Sequence, residues 1–183
     1  MKEFIICPKC GSMELADRIE DDGFRTFGHE CSRCNYLIMC SNTSIYNAKA
    51  ISIRQPWAYL IAADRKPIEN RSWKTNFRGR VLIHTGAKIV KERLWKHNLL
   101  SVDQWYSLIP SDHAKYISNP QKWTTSAIIG SVEIVDCIQN STSMWANPDC
   151  WHWILKDPIM FEKPILNVKG KLSFFIPEIP DHV

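Results

Sequence analysis

Four cysteines in two pairs constrain the start of this chain more than any other feature. Cys7-Pro8-Lys9-Cys10 and Cys31-Ser32-Arg33-Cys34 form the pattern C-x2-C-x20-C-x2-C. Zinc takes four ligands in a tetrahedron, and two tight turns that each supply two thiolates build that geometry with little loop strain. Gly11 and Asn35 follow the second cysteine of each pair, and both residue types tolerate the left-handed backbone of such a turn. The gap of 20 residues also fits zinc sites. A redox dithiol normally carries a single Cys-x-x-Cys in a βαβ context, which is missing here. The pattern therefore predicts one structural zinc ion on Cys7, Cys10, Cys31 and Cys34. With all four positions filled by protein, that metal keeps no open site for catalysis. His29 and Cys40 are substitute ligands by type but not by spacing. A segment of roughly 40 residues buries little core, so its folding should depend on the metal.

The paired knuckles resemble a zinc ribbon, which implies a surface for nucleic acid or for a protein partner without choosing between them. Short strands are expected around 13–19, 24–30 and 36–40, with Asp21-Asp22-Gly23 as a hairpin turn. Residues 1–44 carry five Lys/Arg against seven Asp/Glu, and the rest of the chain carries eighteen against twelve. The net charge of +4 thus conceals an acidic module of −2 and a basic one of +6. Ser41-Asn42-Thr43-Ser44 reads as a polar linker, which divides the chain into a ribbon over 1–44 and a second domain over 45–183.

Hydrophobic residues make up 45% of the 183 and charged residues 23%, a globular composition that excludes wholesale disorder. No window approaches the roughly 18 apolar residues of a membrane span. The opening Met1-Lys2-Glu3-Phe4-Ile5-Ile6-Cys7 holds an acid and a short apolar run, unlike a secretory signal. The expectation is a soluble, cytoplasmic chain with no membrane partner, whose odd count of seven cysteines suits a reducing compartment. The Gly170-Lys171 pair is followed by Leu172, so the phosphate-binding P-loop is absent, as is the dinucleotide fingerprint.

In the second domain, Ala50–Ile53 alternates as a strand does. Pro56 suits the first turn of a helix running over 57–63, where its missing N–H costs nothing. Segments 80–85 and 127–138 read as buried strands, 88–100 as an amphipathic helix, and 103–109 as another helix. Strands are expected again over 151–155 and 172–176. The fold class is α+β, a small mixed barrel rather than a doubly wound sheet.

The densest polar cluster is Lys66, Glu69 and Arg71. In an extended segment Glu69 and Arg71 share a face, with Lys66 at the preceding turn. A carboxylate between two cations orients both and leaves a net positive pocket, suited to a phosphate or to polarising a carbonyl. The alternative is an ordinary surface ion pair on a half-exposed strand.

These residues resemble the ASCH (activating signal cointegrator homology) domain, a relative of the PUA RNA-binding fold. The family signature is close to Gly-x-Lys-x-x-Glu-x-Arg, and here it reads Asp64-x-Lys66-x-x-Glu69-x-Arg71, with aspartate in place of glycine. Arg54-Gln55-Pro56-Trp57-Ala58, Arg78-Gly79, Ile83-His84, residues 129–137 and Val168-Lys169-Gly170-Lys171-Leu172 fit as well, so the likeness covers about residues 49–177. It implies a PUA-like small mixed β-barrel with flanking helices, whose cleft is lined by Arg54, Gln55, Trp57, Lys66, Glu69 and Arg71. It also implies a partner that is RNA or single-stranded nucleic acid.

Within that frame Arg54 and Gln55 read a phosphate or base edge, unless Gln55 only orders the turn before Pro56. Trp57 stacks on a base, a contact of roughly 1–3 kcal/mol, or packs in the core. Arg78 and Lys88 add phosphate contacts. His84 reads as a hydrogen-bonded core histidine. Trp151 and Trp153 share a sheet face and offer a cleft wall, while Trp95, Trp105, Trp123 and Trp145 read as packing or surface residues. Cys137 and Cys150 read as buried thiols. Some bacterial relatives are amidohydrolases that deacylate the exocyclic amine of cytidine, with a lysine at the Lys66 position assisting a threonine three residues later. Here that position is Glu69, which lacks the hydroxyl.

The leading reading is a non-catalytic nucleic-acid-binding protein, with RNA as ligand. The alternative is a hydrolase, either an amidohydrolase on an acylated or modified nucleoside or a ribonuclease. In it Lys66 is a general base with a pKa lowered by Arg71 and burial, and Glu69 a second acid/base group. A third reading docks a protein partner on the acidic ribbon.

Overall fold

The computed structural model describes residues 7, 15–19, 26–33, 37–39, 49–90 and 123–178. Near the start, β1 (Leu15–Ile19), β2 (Thr26–Cys31) and β3 (Leu37–Met39) form an antiparallel sheet in the order β1-β2-β3. Strands β1 and β3 fall inside the segments expected from the sequence, and β2 runs one residue past its segment, to Cys31. Cys31 is the last residue of β2, and the chain turns away through Ser32 and Arg33. Cys10, Cys34, Cys40 and the polar linker lie outside the described residues.

The second sheet has six strands in the order β5-β8-β7-β6-β4-β9. In chain order these are β4 (Ala50–Ile53), β5 (Ile68–Arg71), β6 (Gly79–Thr85), β7 (Ala127–Ile138), β8 (Trp151–Ile165) and β9 (Phe174–Phe175). A short helix, α1 (Trp57–Ala62), lies between β4 and β5. Only β4 and β6 run parallel. That parallel pair requires a crossover, and the crossover holds α1 and β5, the two elements that build the candidate site.

The sheet is buried on both faces. Along β4 and β6, Ile51, Ile53, Val81 and Ile83 pack with α1 and Trp153, whereas Ala50 and Leu82 pack with Ile128, Phe161, Ile165, Val168 and Phe175. The strand period of two sends neighbours to opposite faces, which is why these strands read as continuous apolar runs. Gly130 lets β7 and β8 meet closely, because a Cβ there would sit 2.3 Å from the Ile159 carbonyl oxygen.

The curved sheet is closed by a side chain. Lys49 and Ile53 direct their carbonyls to the β6 side, accepting from Leu82 and Gly86. The Ser52 carbonyl therefore faces the other edge, and β9 pairs only with Ala50 and Ile51 there. Arg71 on β5 fills the vacancy, donating from Nη2 to Ser52 O at 2.8 Å. Aromatic rings reinforce the seam: Trp153 and Phe174 stack at 5.2 Å, and Trp73 meets Trp153 edge-on at 4.7 Å.

Three expectations change. Strand β8 runs for 15 residues rather than stopping near 155, because a bulge absorbs Lys156-Asp157-Pro158. Ser131 and Glu133, two apart, pair with Ile159 and Lys156, three apart, and Asp157 takes a φ of 48°. The strand expected over 172–176 shrinks to Phe174–Phe175, since Ser173 has a φ of 60° and Leu172 points into solvent. Residues 88–90 are not helical, and the rest of the helices expected over 88–100 and 103–109 lies outside the described residues. Among the described residues α1 is the one helix.

Candidate nucleic-acid interface

The site begins with how α1 ends. Asp64 N donates to Ile61 O at 3.1 Å and Arg65 N to Leu60 O at 2.8 Å, while Asp64 adopts a φ of 57°. This is a Schellman C-cap with the left-handed residue at C′. It explains why the signature favours glycine there, and why aspartate, which tolerates left-handed backbone better than most residues, substitutes. Lys66 N then joins the same cap, donating to Leu60 O at 3.1 Å, so the turn aims the Lys66 side chain.

Lys66 is 4% exposed. Its Nζ donates to Ile68 O and, at 3.2 Å, to Glu69 Oε2. The other oxygen of Glu69 lies 3.1 Å from Arg71 Nε. That contact is an ion pair without an aligned hydrogen bond, for the buried Nε–H finds no acceptor in line. The carboxylate thus bridges two cations, as the extended spacing predicted, and the triad keeps a net charge of +1. Burial pulls the Lys66 pKa down, and the Arg71 charge adds to this; the charge and hydrogen bond of Glu69 oppose it.

Above the triad opens a cleft of about 130 Å³ lined by Trp57, Lys66, Glu69, Asn70, Met144, Trp145 and Asn147. Its far wall is the loop joining β7 to β8, pinned by two residues that face each other across β5 and β8, Asn70 and His152. Asn70 donates to Trp145 O at 2.8 Å and accepts from Asn147 N at 3.1 Å. His152 Nδ1 accepts from Ser141 N at 3.2 Å, which leaves Nε2 to donate to Asn147 O at 2.9 Å. Trp57 and Trp145 meet edge-to-face at 6.0 Å. Among the described residues, none of the lining side chains carries a hydroxyl or a thiol.

The family model described as the ASCH domain matches residues 51–165, more than half of the chain. The chain belongs to the ASCH domain family. Over 99 residues it is 28% identical to Activating signal cointegrator 1 from Homo sapiens and, equally, from Mus musculus. Each match covers 54% of this chain but 16% of the relative. The chain thus corresponds to a small part of those proteins. The ASCH match begins after the β1–β3 sheet.

The ASCH framework places the other sequence candidates as follows. Trp57 is half-buried and forms a cleft wall while also packing on the core. Gln55 is buried, with its amide bonds taken: Oε1 accepts from Tyr59 N and Nε2 donates to Thr124 O, both at 3.1 Å. It caps α1 from the cis Gln55–Pro56 peptide. Arg54 and Lys88 are exposed. The backbone segments that carry them meet where Val90 N bonds Gln55 O at 2.9 Å. Arg78 does not line the cleft; it holds Asp136 at 2.8 Å together with the carbonyls of Thr75 and Phe77. His84 is a bonded core histidine, its Nε2 at 2.9 Å from Val168 O. Trp153 is core, and Trp151 lies under Lys74, so neither forms the wall. Trp145, expected as a packing or surface residue, packs with Leu60 and Ile68 and also walls the cleft. Cys137 is buried and Cys150 half-buried. Asn70, Met144 and Asn147 carried no sequence signal beyond the place of Asn70 inside the signature.

Proposed function

We propose that this ASCH domain binds single-stranded nucleic acid, RNA foremost, in the cleft above the Lys66–Glu69–Arg71 triad. The observation that carries the reading is a cleft floored by buried Lys66 and Glu69, walled by Trp57 and Trp145, with Arg71 pairing Glu69 from outside the lining. Exposed Arg54 precedes α1 in the chain, and exposed Lys88 lies two residues before Val90, which bonds the Gln55 carbonyl; both are offered as phosphate contacts. Aromatic walls and a basic rim are the parts single-strand binders use. Among the described residues the lining offers no hydroxyl or thiol to attack a substrate, which favours binding over nucleophilic hydrolysis.

The four-cysteine pattern supports a structural zinc ion on Cys7, Cys10, Cys31 and Cys34. Cys7 and Cys31 are fully buried, and Cys31 ends β2 where the chain turns through Ser32 and Arg33. Thiols shielded to this degree beside a small three-stranded sheet fit a metal-centred core. Cys10 and Cys34 lie outside the described residues, among which no cluster of three ligand-type side chains occurs. The ribbon is also the surface proposed for a protein partner. No described helix is long and apolar enough to cross a membrane.

Fluorescence anisotropy of labelled single-stranded RNA, at low and near-physiological salt, tests the reading. Binding should weaken with salt as displaced counterions no longer drive association, and the probe should remain intact. Cleaved probe would support the hydrolase instead, and salt-independent binding would oppose a phosphate rim.

A further inference from the structure

The two ring contacts of His152 fix where its proton sits. The backbone N–H of Ser141 can only donate, so Nδ1, 3.2 Å away, accepts and carries no proton. The Asn147 carbonyl can only accept, so Nε2, 2.9 Å away, carries the proton. The ring is therefore neutral, and it is 3% exposed. It ties together both shoulders of the loop that walls the cleft.

Bonds within the loop pass that tie on to Trp145. Ser141 Oγ accepts from Ser143 N, and Ser143 Oγ accepts from Trp145 N, both at 3.2 Å. Trp145 ends this series, packed with Leu60 and Ile68 and edge-on to Trp57. Asn70 holds the same loop at Trp145 O and Asn147 N, but its amide does not change charge. An imidazole does, between about pH 5 and 8. A second proton on His152 must go to Nδ1, where it meets the Ser141 N–H, donor against donor. Turning the ring over does not help, since both nitrogens then donate.

The titratable groups on the neighbouring elements are Glu69 and Arg71 on β5, Asp136 and Cys137 on β7, Tyr59 on α1, and Asp149 and Cys150 in the loop. Glu69 is taken up by Lys66 and Arg71, and Asp136 by Arg78. Among the described residues no carboxylate pairs with the His152 ring, whose polar contacts are Ser141 N and Asn147 O.

We propose that His152 is a positioning residue whose protonation gates the cleft: the neutral ring pins the Trp145 wall, and the protonated ring releases its Ser141 end. The inference rests on the nucleic-acid reading and adds the regulation of that site by pH. Acid ordinarily strengthens the binding of a polyanion, because it adds positive charge to the protein. A gated wall predicts the reverse.

The test uses the full chain and a labelled eight-nucleotide uridine RNA. Wild type should bind about fivefold more weakly at pH 5.5 than at pH 7.5, through the bond lost at Ser141. Amide protection over 141–147 should fall with the affinity, while 127–132 stays protected. In His152→Gln the side-chain amide accepts and donates at both pH values, so affinity and protection should hold. Nitrogen NMR of the ring in wild type needs no variant. It should show the proton on Nε2 alone at pH 7.5, and a second proton on Nδ1 arriving as protection falls. Protection that falls before the second proton arrives, or equally in His152→Gln, would overturn the gate. A wall that loosens with the second proton while RNA affinity stays constant would keep the gate and overturn the placement of RNA in this cleft. No RNA binding at either pH, with ring and loop titrating together, would keep the gate and overturn the nucleic-acid reading.

Discussion

Arg71 on β5 donates to the backbone carbonyl of Ser52 on β4 at 2.8 Å, although β5 is one edge of the sheet and β4 lies next to the other edge, with three strands between them. One guanidinium therefore serves two tasks. Its Nε faces Glu69 and its Nη2 closes the barrel. Arg71→Ala should lower unfolding free energy by about 2 kcal/mol, the loss of a charged hydrogen bond to a group left unsatisfied. Arg71→Lys should recover less than half, because an ammonium cannot span both partners with a planar fork. Urea denaturation of the three proteins checks this, and full recovery by lysine would contradict the dual role.

Asp64 holds the glycine position of the signature with a φ of 57°. Asp64→Gly should stabilise the domain by up to about 1 kcal/mol, since glycine adopts that backbone without a Cβ penalty. Asp64→Val should lose more than that, because a β-branched residue resists left-handed backbone. Thermal melts of the pair decide the matter, and a destabilised glycine variant would give the aspartate side chain some other role.

His84 is buried between Ser52 and the Val168 carbonyl. Burial lowers its pKa, and the bond to Val168 opposes this. The folded protein therefore binds a proton on this ring less readily than the unfolded chain. Stability should be full above about pH 6.5, the ordinary imidazole value, and should fall as pH drops from there toward the lower folded value. His84→Gln should flatten that part of the profile. Denaturation midpoints between pH 7.5 and 5.5 provide the comparison, and parallel profiles would contradict it.

Chelation tests the metal. Removing zinc should abolish the β1–β3 sheet while leaving the ASCH barrel, which has its own two-sided core. Amide exchange after chelator treatment should rise over residues 15–39 and stay unchanged over 127–138. Protection that survives in both segments would mean that the cysteines bind no structural metal.

The floor of the site was legible because its information is local. Lys66, Glu69 and Arg71 fall within six residues, and a turn followed by a strand must bring them together. The wall was not, because it depends on pairs far apart in sequence. Asn70 meets Trp145 across 75 positions, and nothing near Trp145 distinguishes a cleft tryptophan from a packing one. Gln55 and Arg78 looked available as polar residues beside motifs, yet protein partners take up the Gln55 amide and hold Arg78 away from the cleft. Strand β8 was expected only over 151–155, and its continuation depends on a bulge at Lys156-Asp157-Pro158 that the partner strand β7 accommodates.

The central claim is that the cleft above Lys66 is where nucleic acid binds. The most direct measurement is anisotropy of one labelled single-stranded RNA with wild type, Lys66→Met and Arg78→Ala, each confirmed folded by circular dichroism. Lys66→Met keeps the stem and removes the charge in the cleft, whereas Arg78 bonds Asp136 and does not line it. A loss of at least tenfold in Lys66→Met, with Arg78→Ala close to wild type, is the predicted result. Equal affinities for all three would contradict the account and move the interface off this cleft.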